Sequence, residues 1–94
     1  MSALWIAHVE VTDPDRYAKY AAVASEVIPA HGGTFIARAG RYVQLEGRDR
    51  ARNVVARFPS VEAALAAYND PRYQAALADA HAASDRDLVI VEET

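Results

Sequence analysis

The sequence predicts an α+β domain of ferredoxin-like order, strand–helix–strand–strand–helix–strand, and three observations predict it. Four short runs, 4–11, 34–39, 53–58 and 87–92, are rich in β-branched and aromatic residues and bounded by turn formers. Two segments between them carry apolar side chains at three-and-four spacing, the stripe of a helix with one face on a core. An acceptor residue followed by proline, or a capping serine, stands at each helix start. That order builds a four-stranded antiparallel sheet with its helices on one face.

Each element has a local reason. Thr12-Asp13-Pro14 opens the first helix, because the Asp side chain accepts from first-turn N–H groups and proline is tolerated at the first helical position. Its stripe is Tyr17, Tyr20, Ala21, Ala24, Val27 and Ile28. Pro29 is expected to disturb the last turn, and Gly32-Gly33 to end it, with His31 beside the helix C-terminus. Gly40 predicts a bulge or bend, with 41–45 continuing extended and 46–49 turning. Ser60 caps a short helix bearing Val61, Ala64, Leu65 and Tyr68. Asn69-Asp70-Pro71 restarts or kinks it, and Tyr73, Ala76, Leu77 and Ala80 form the second stripe.

Composition narrows the function classes. The 94 residues, 52% apolar and without cysteine, read as one domain over 1–94 with material for a core but no disulfide to help it. No apolar run approaches a membrane span and no basic segment precedes an apolar one at the start, so a cytoplasmic protein is expected, with no membrane partner. The net charge of -3 argues against nucleic-acid binding. Arg41, Arg48, Arg50 and Arg52 form a local basic cluster, but Glu46 and Asp49 dilute it, and a solvated hairpin tip or subunit contact is the better reading.

Side chains alternate across a sheet, so each strand divides into two sets. Trp5, Ala7, Val9, Val11, Phe35, Ala37, Val54, Ala56, Phe58, Val89 and Val91 form an apolar set, expected beneath the helices. The opposite set mixes Leu4, Ile6, Ile36, Val55, Leu88 and Ile90 with His8, Glu10, Arg38, Arg57 and Glu92. Open to water it would be a larger apolar patch than a soluble monomer usually carries, so a homodimer through this open sheet face is expected.

Over nearly the whole chain, the segments HVEVTDPDRYAKY, HGGTFIARAG, LEG, ARFPSVEAALAAYNDPRYQ and DRDLVIVEE resemble the family known as domain of unknown function 1330. The resemblance implies a dimeric α/β barrel, two ferredoxin-like sheets closed face to face around a cavity, and no particular chemistry. Wider relatives in that group include cofactor-free monooxygenases, muconolactone-type isomerases and haem-handling enzymes. The family pattern fits Asp13, Tyr17, Tyr20, Gly33, Arg38, Gly40, Gly47, Phe58, Pro59, Tyr68 and Tyr73. The chain departs from it at Arg57, where an acidic or apolar residue is common, and after Tyr73, where a basic residue is common.

His8 and Glu10 are two apart on one strand and point the same way, an imidazole beside a carboxylate able to move a proton near neutral pH. The competing reading is an interface histidine with a rim carboxylate. Arg38 and Arg57, expected on the same face of neighbouring strands, could clamp a carboxylate or enolate; the alternative is an ion-pair network with Glu10 and Glu92. The tyrosines read as core, and Asp13, Asp15 and Asp70 as helix starts. His8, His31 and His81 lack metal-ligand spacing, no nucleotide-binding glycine loop or nucleophile elbow is present, and neither metal nor cofactor is expected. Three readings remain: a metal-free enzyme acting on a small organic acid or carbonyl compound, a small-ligand binding or sensing module, and a structural homodimer.

Overall fold

The computed structural model describes residues 1–94, and its elements run β1 (Ala3–Val11), α1 (Pro14–Ala30), β2 (Thr34–Arg38), β3 (Arg52–Phe58), α2 (Val61–Tyr68), α3 (Pro71–Ala83) and β4 (Ser84–Glu92). The sheet order is β2-β3-β1-β4, every pair antiparallel. This is the predicted α+β, ferredoxin-like arrangement, with three helices because Asn69-Asp70-Pro71 separates α2 from α3.

The caps act as their residue types dictate. The Asp13 carboxylate accepts from the Arg16 amide at 3.2 Å, the Ser60 hydroxyl from the Ala63 amide at 3.0 Å, and the Asp70 carboxylate from the Arg72 amide at 2.9 Å. Helix α1 runs through Pro29 to Ala30 and closes tidily: the Gly32 amide donates to the Pro29 carbonyl at 3.0 Å and the Gly33 amide to the Ile28 carbonyl at 2.9 Å. Gly32 supplies the left-handed φ of 84° that this closure needs. Gly33 is required for a different reason: a Cβ there would stand 2.6 Å from Ile28 Cγ2 and 2.7 Å from Phe58 Cζ.

The core joins many alanines to a few large rings. Ala24, Ala56, Ala64, Ala67, Ala76 and Ala80 are buried, so helices and sheet approach closely, and the remaining space is filled by a chain of aromatics. Trp5 lies 5.8 Å from Phe58 and edge-on to Tyr73 at 5.4 Å; Tyr73 continues to Tyr20 at 5.6 Å and Tyr20 to Tyr17 at 5.2 Å. Burial, then the neighbouring Tyr20 oxygen, pushes the Tyr73 phenol far above its ordinary pKa, and the same two causes raise Tyr17.

Three expectations are corrected. On β4 the faces are exchanged: Ile90 pairs with Trp5 and Leu88 with Ala7, so these two pack on the core. Val89 and Val91, opposite Ile6 and Leu4, lie on the open face. On β2 the bulge falls at Ile36 rather than Gly40, so Ala37 pairs with Val55 and Arg38 with Val54. That single extra residue moves Arg38 to the helix side, where its guanidinium lies 4.1 Å from the Phe35 ring centre. Residues 39–51, expected partly extended, have no regular structure; ion pairs made by Arg48 and Arg50 hold them across the end of the open face.

Two outcomes follow from this packing. Gly33→Ala forces Ile28 and Phe58 apart and lowers stability by ~1–3 kcal/mol, a fall in thermal midpoint on the order of 10 °C for a domain this small; an unchanged midpoint contradicts the close approach. The raised Tyr17 and Tyr73 pKa values stabilise the fold below the unfolded tyrosine value of about 10, and that contribution is lost as pH climbs from there toward the folded values. Thermal midpoints measured from pH 8 to 11 therefore fall steeply in the native chain and less steeply in Tyr73→Phe, which starts ~1 kcal/mol less stable for its lost hydroxyl bonds. Parallel slopes in the two proteins contradict this assignment.

Candidate functional site

Strand register determines which side chains can meet. On the open face β1 presents Leu4, Ile6, His8 and Glu10, and β4 presents Val91, Val89, Asp87 and Asp85 opposite them. The segment 39–51 brings arginines onto this acidic end. The Arg48 guanidinium bonds Glu10 at 2.6 Å and also Asp85, and Arg50, nearly buried, bonds Asp87 and reaches the His8 carbonyl at 3.4 Å. His8 and Glu10 thus share a face without touching. The Asn53 amide nitrogen donates to the Arg50 carbonyl, leaving its oxygen to accept from His8 Nδ1 at 2.7 Å, so His8 carries its proton on Nδ1. Arg57 donates to Glu93 at 2.7 and 3.3 Å rather than to Glu92, and it stands on the face opposite to Arg38. The expected Arg38–Arg57 clamp is therefore not assembled within the subunit.

A second cluster lies on the other side of the sheet. Arg52 on β3 and Arg86 on β4 both pair with Val9 of β1, so they flank that buried valine beneath α1. With Arg38, which is exposed at its rim, they ring a partly enclosed chamber between sheet and helix, walled by Trp5, Tyr17, Tyr20 and Ala24. Its volume of about 20 Å³ is room for one water molecule. Each cation faces an aromatic ring: Arg86 lies 4.8 Å from the Tyr20 centre, Arg52 5.3 Å from Tyr17, and Arg38 over Phe35. Arg86 donates to the Tyr73 hydroxyl at 3.1 Å, which bonds the Tyr20 hydroxyl at 2.7 Å. Burial works against the Arg86 charge, but the Tyr20 and Tyr73 oxygens outweigh it and hold its pKa above the ordinary guanidinium value. Arg38 also reaches the Ser25 hydroxyl of α1, tying the sheet edge to the helix at the rim of the chamber.

The sequence predicts no site role for Arg52 or Arg86 and places Arg52 at a solvated hairpin tip or subunit contact, whereas that residue opens β3. A signal was present for both. Arg52 shares parity with Val54, Ala56 and Phe58, and Arg86 with Leu88 and Ile90, so each is an arginine on a core-facing row. No three histidine, aspartate or glutamate side chains gather as metal ligands would.

The fold has solved counterparts. A protein of unknown function from Rhodopseudomonas palustris, RPA0582, superposes with TM-score 0.82 at 20% identity over 99% of this chain and 82% of its own. A dimeric ferredoxin-like protein of unknown function from Jannaschia sp. CCS1 gives 0.79 at 17% identity over 99% and 100%. SnoaB, a cofactor-independent oxygenase from Streptomyces nogalater, gives 0.66 at 16% identity over 99% and 93%. No curated protein matches the chain. The profile of one family, Domain of unknown function (DUF1330), matches residues 2–94, and the chain belongs to that family.

Proposed function

We propose that this chain is a homodimeric small-molecule protein: two copies stack on their open faces, and each subunit takes a small organic molecule into the chamber beneath α1. The observation that carries the reading is the partly enclosed, cation-ringed chamber, since a core-facing row that served packing alone would hold aliphatic side chains where Arg52 and Arg86 stand. At its present volume the chamber accepts a ligand only by opening. The short, bulged edge strand β2 is the side to yield, once Arg38 releases Ser25.

The dimer rests on the opposite face. Ile36, Val89 and Val91 are 47%, 53% and 46% exposed, and Leu4, Ile6 and Val55 lie among them half-buried. Four strands spaced ~4.8 Å apart and rising ~3.3 Å per residue offer a flat footprint on the order of 500 Å². With side-chain relief that approaches the ~800 Å² per partner of a specific interface. Dimeric ferredoxin-like relatives support the same reading. His8 and Arg57 then lie at the subunit contact, His8 with a free Nε2 available to a partner group.

Turnover is the second reading, favoured by the Tyr20–Tyr73 pair. A buried phenol proton can polarise the carbonyl oxygen of a small organic acid or carbonyl compound, with no metal called for. SnoaB supports it only as a likeness of fold.

Sedimentation at micromolar concentration is expected to give twice the 10.2 kDa chain mass for the native protein and monomer for Val89→Arg. A native chain that sediments as monomer overturns the dimer; a Val89→Arg variant that stays dimeric moves the interface off this face.

A further inference from the structure

Three features of the molecule could carry more than the reading above: the acidic and basic cluster around His8, the His31–Asp70–Arg72 contact, and the unpaired donors of the chamber. In the first, Glu10 and Asp87 are already matched to Arg48 and Arg50. In the second, Asp70 is occupied by Arg72 at 3.0 Å and His31 at 2.9 Å while capping α3, a complete structural junction. Arg50 Nε in the first cluster also lacks a partner, but its guanidinium is paired with Asp85 and Asp87, whereas the arginines of the chamber face no carboxylate.

The chamber's hydrogen-bond inventory is one-sided. Arg52 Nε and Arg86 Nη1 are shielded from solvent and have no partner. The Tyr20 and Tyr73 hydroxyls hold two protons, of which their shared bond uses one; Arg86 adds a further donor to Tyr73, so one phenol proton has no acceptor. None of Arg38, Arg52 and Arg86 has a carboxylate within 4 Å; the ion pairs of the chain are made by Arg16, His31, Arg48, Arg50, Arg57 and Arg72. The aromatic faces of Tyr17, Tyr20 and Phe35 stabilise the cations without consuming an N–H. Buried polar groups are nearly always satisfied, so two cations that each keep a shielded donor without an acceptor, and that face no carboxylate, describe the complement of an anion.

Resting on the reading that the chamber takes a ligand, we propose that it is a carboxylate site, in which Arg52 Nε, Arg86 Nη1 and the free Tyr20–Tyr73 proton hold the head group of a small organic monocarboxylate. A carboxylate offers two oxygens with about four acceptor positions, matching at least three unpaired donors, and brings the negative charge that Arg52 and Arg86 lack. The head enters first, between Tyr17, Tyr20, Arg52 and Arg86. The organic remainder is short and apolar and lies toward Phe35 and Arg38, where the chamber meets the sheet edge.

Calorimetric titration of the native protein with sodium acetate and sodium propanoate tests this, against acetamide as the neutral isostere and sodium chloride at matched ionic strength. Saturable carboxylate binding is expected, weakened about tenfold or more by loss of one charged hydrogen bond in Arg86→Met and in Arg52→Met, and unchanged in Arg57→Met on the opposite face. Replacing an uncompensated, half-buried guanidinium by methionine is tolerated by folds, and the circular dichroism of each variant confirms that it is folded. Should Arg86→Met not fold, the Arg52→Met and acetamide comparisons decide. Acetamide binding as tightly as acetate overturns the carboxylate assignment while sparing the chamber as a ligand site. Chloride binding equally well overturns the organic ligand in favour of an inorganic anion. No binding of any probe overturns both the assignment and the ligand reading on which it rests.

Discussion

The constraint on which the structure turns is the placement of two half-buried guanidinium groups, Arg52 and Arg86, on the helix side of the sheet with no carboxylate beside them and one nitrogen of each shielded from solvent. Such charges ordinarily stay in water or are paired, because leaving an ion uncompensated in the interior is costly. Here the surrounding residues answer the cost by other means. Tyr17 and Tyr20 place ring faces against the cations, and the Tyr73 hydroxyl accepts from Arg86. Tyr73 is in turn fixed by Trp5, and Trp5 by Phe58, so the aromatic chain that fills the core also positions the chamber wall. The packing of the core and the shape of the chamber therefore depend on the same residues.

The alanine-rich interior has a related consequence. With small residues along α1, α2 and α3, the helices lie close to the sheet and leave little space except where tyrosines and arginines hold them apart. The chamber is small for that reason. On the proposed reading a ligand enters by displacement of the edge strand rather than through an open cleft, and β2, with five residues and a bulge, is the shortest strand of the sheet. The opposite face follows different rules: its apolar centre around Ile6 and Val89 and its charged end around Glu10, Arg48 and Asp85 suit contact with a second copy.

Much of this was legible in the residues and some was not, for definable reasons. Asp13-Pro14, Ser60 and Asp70-Pro71 marked the helix starts because capping is local chemistry, and the order of elements followed from the hydrophobic period. The face of β4 was not legible from 88–91, since Leu88, Val89, Ile90 and Val91 are aliphatic in both parities. The information lay upstream, where Asp85 and Asp87 alternate with Arg86, and a strand begun at Asp87 omits it. Arg38 was misplaced by the bulge at Ile36, which changes parity without leaving a glycine as its mark. Arg52 was hidden by its company, three other arginines in a polar segment, although only Arg52 lies in the ladder with Val54 and Ala56. Arg52 and Arg86 were thus marked by the parity of their own strands, whereas the side taken by Arg38 depends on pairing between strands, which no local pattern reports.

The most direct measurement of the central claim is the nitrogen-15 spectrum of the arginine side chains, in which the Nε–H and Nη–H groups report their hydrogen-bond partners. On titration with acetate, the Arg52 and Arg86 signals are expected to move together and to saturate, while those of Arg48 and Arg57, already paired with carboxylates on the other face, stay in place. Parallel, unsaturating drift of all arginine signals, or movement confined to Arg48 and Arg57, contradicts a buried anion site beneath α1.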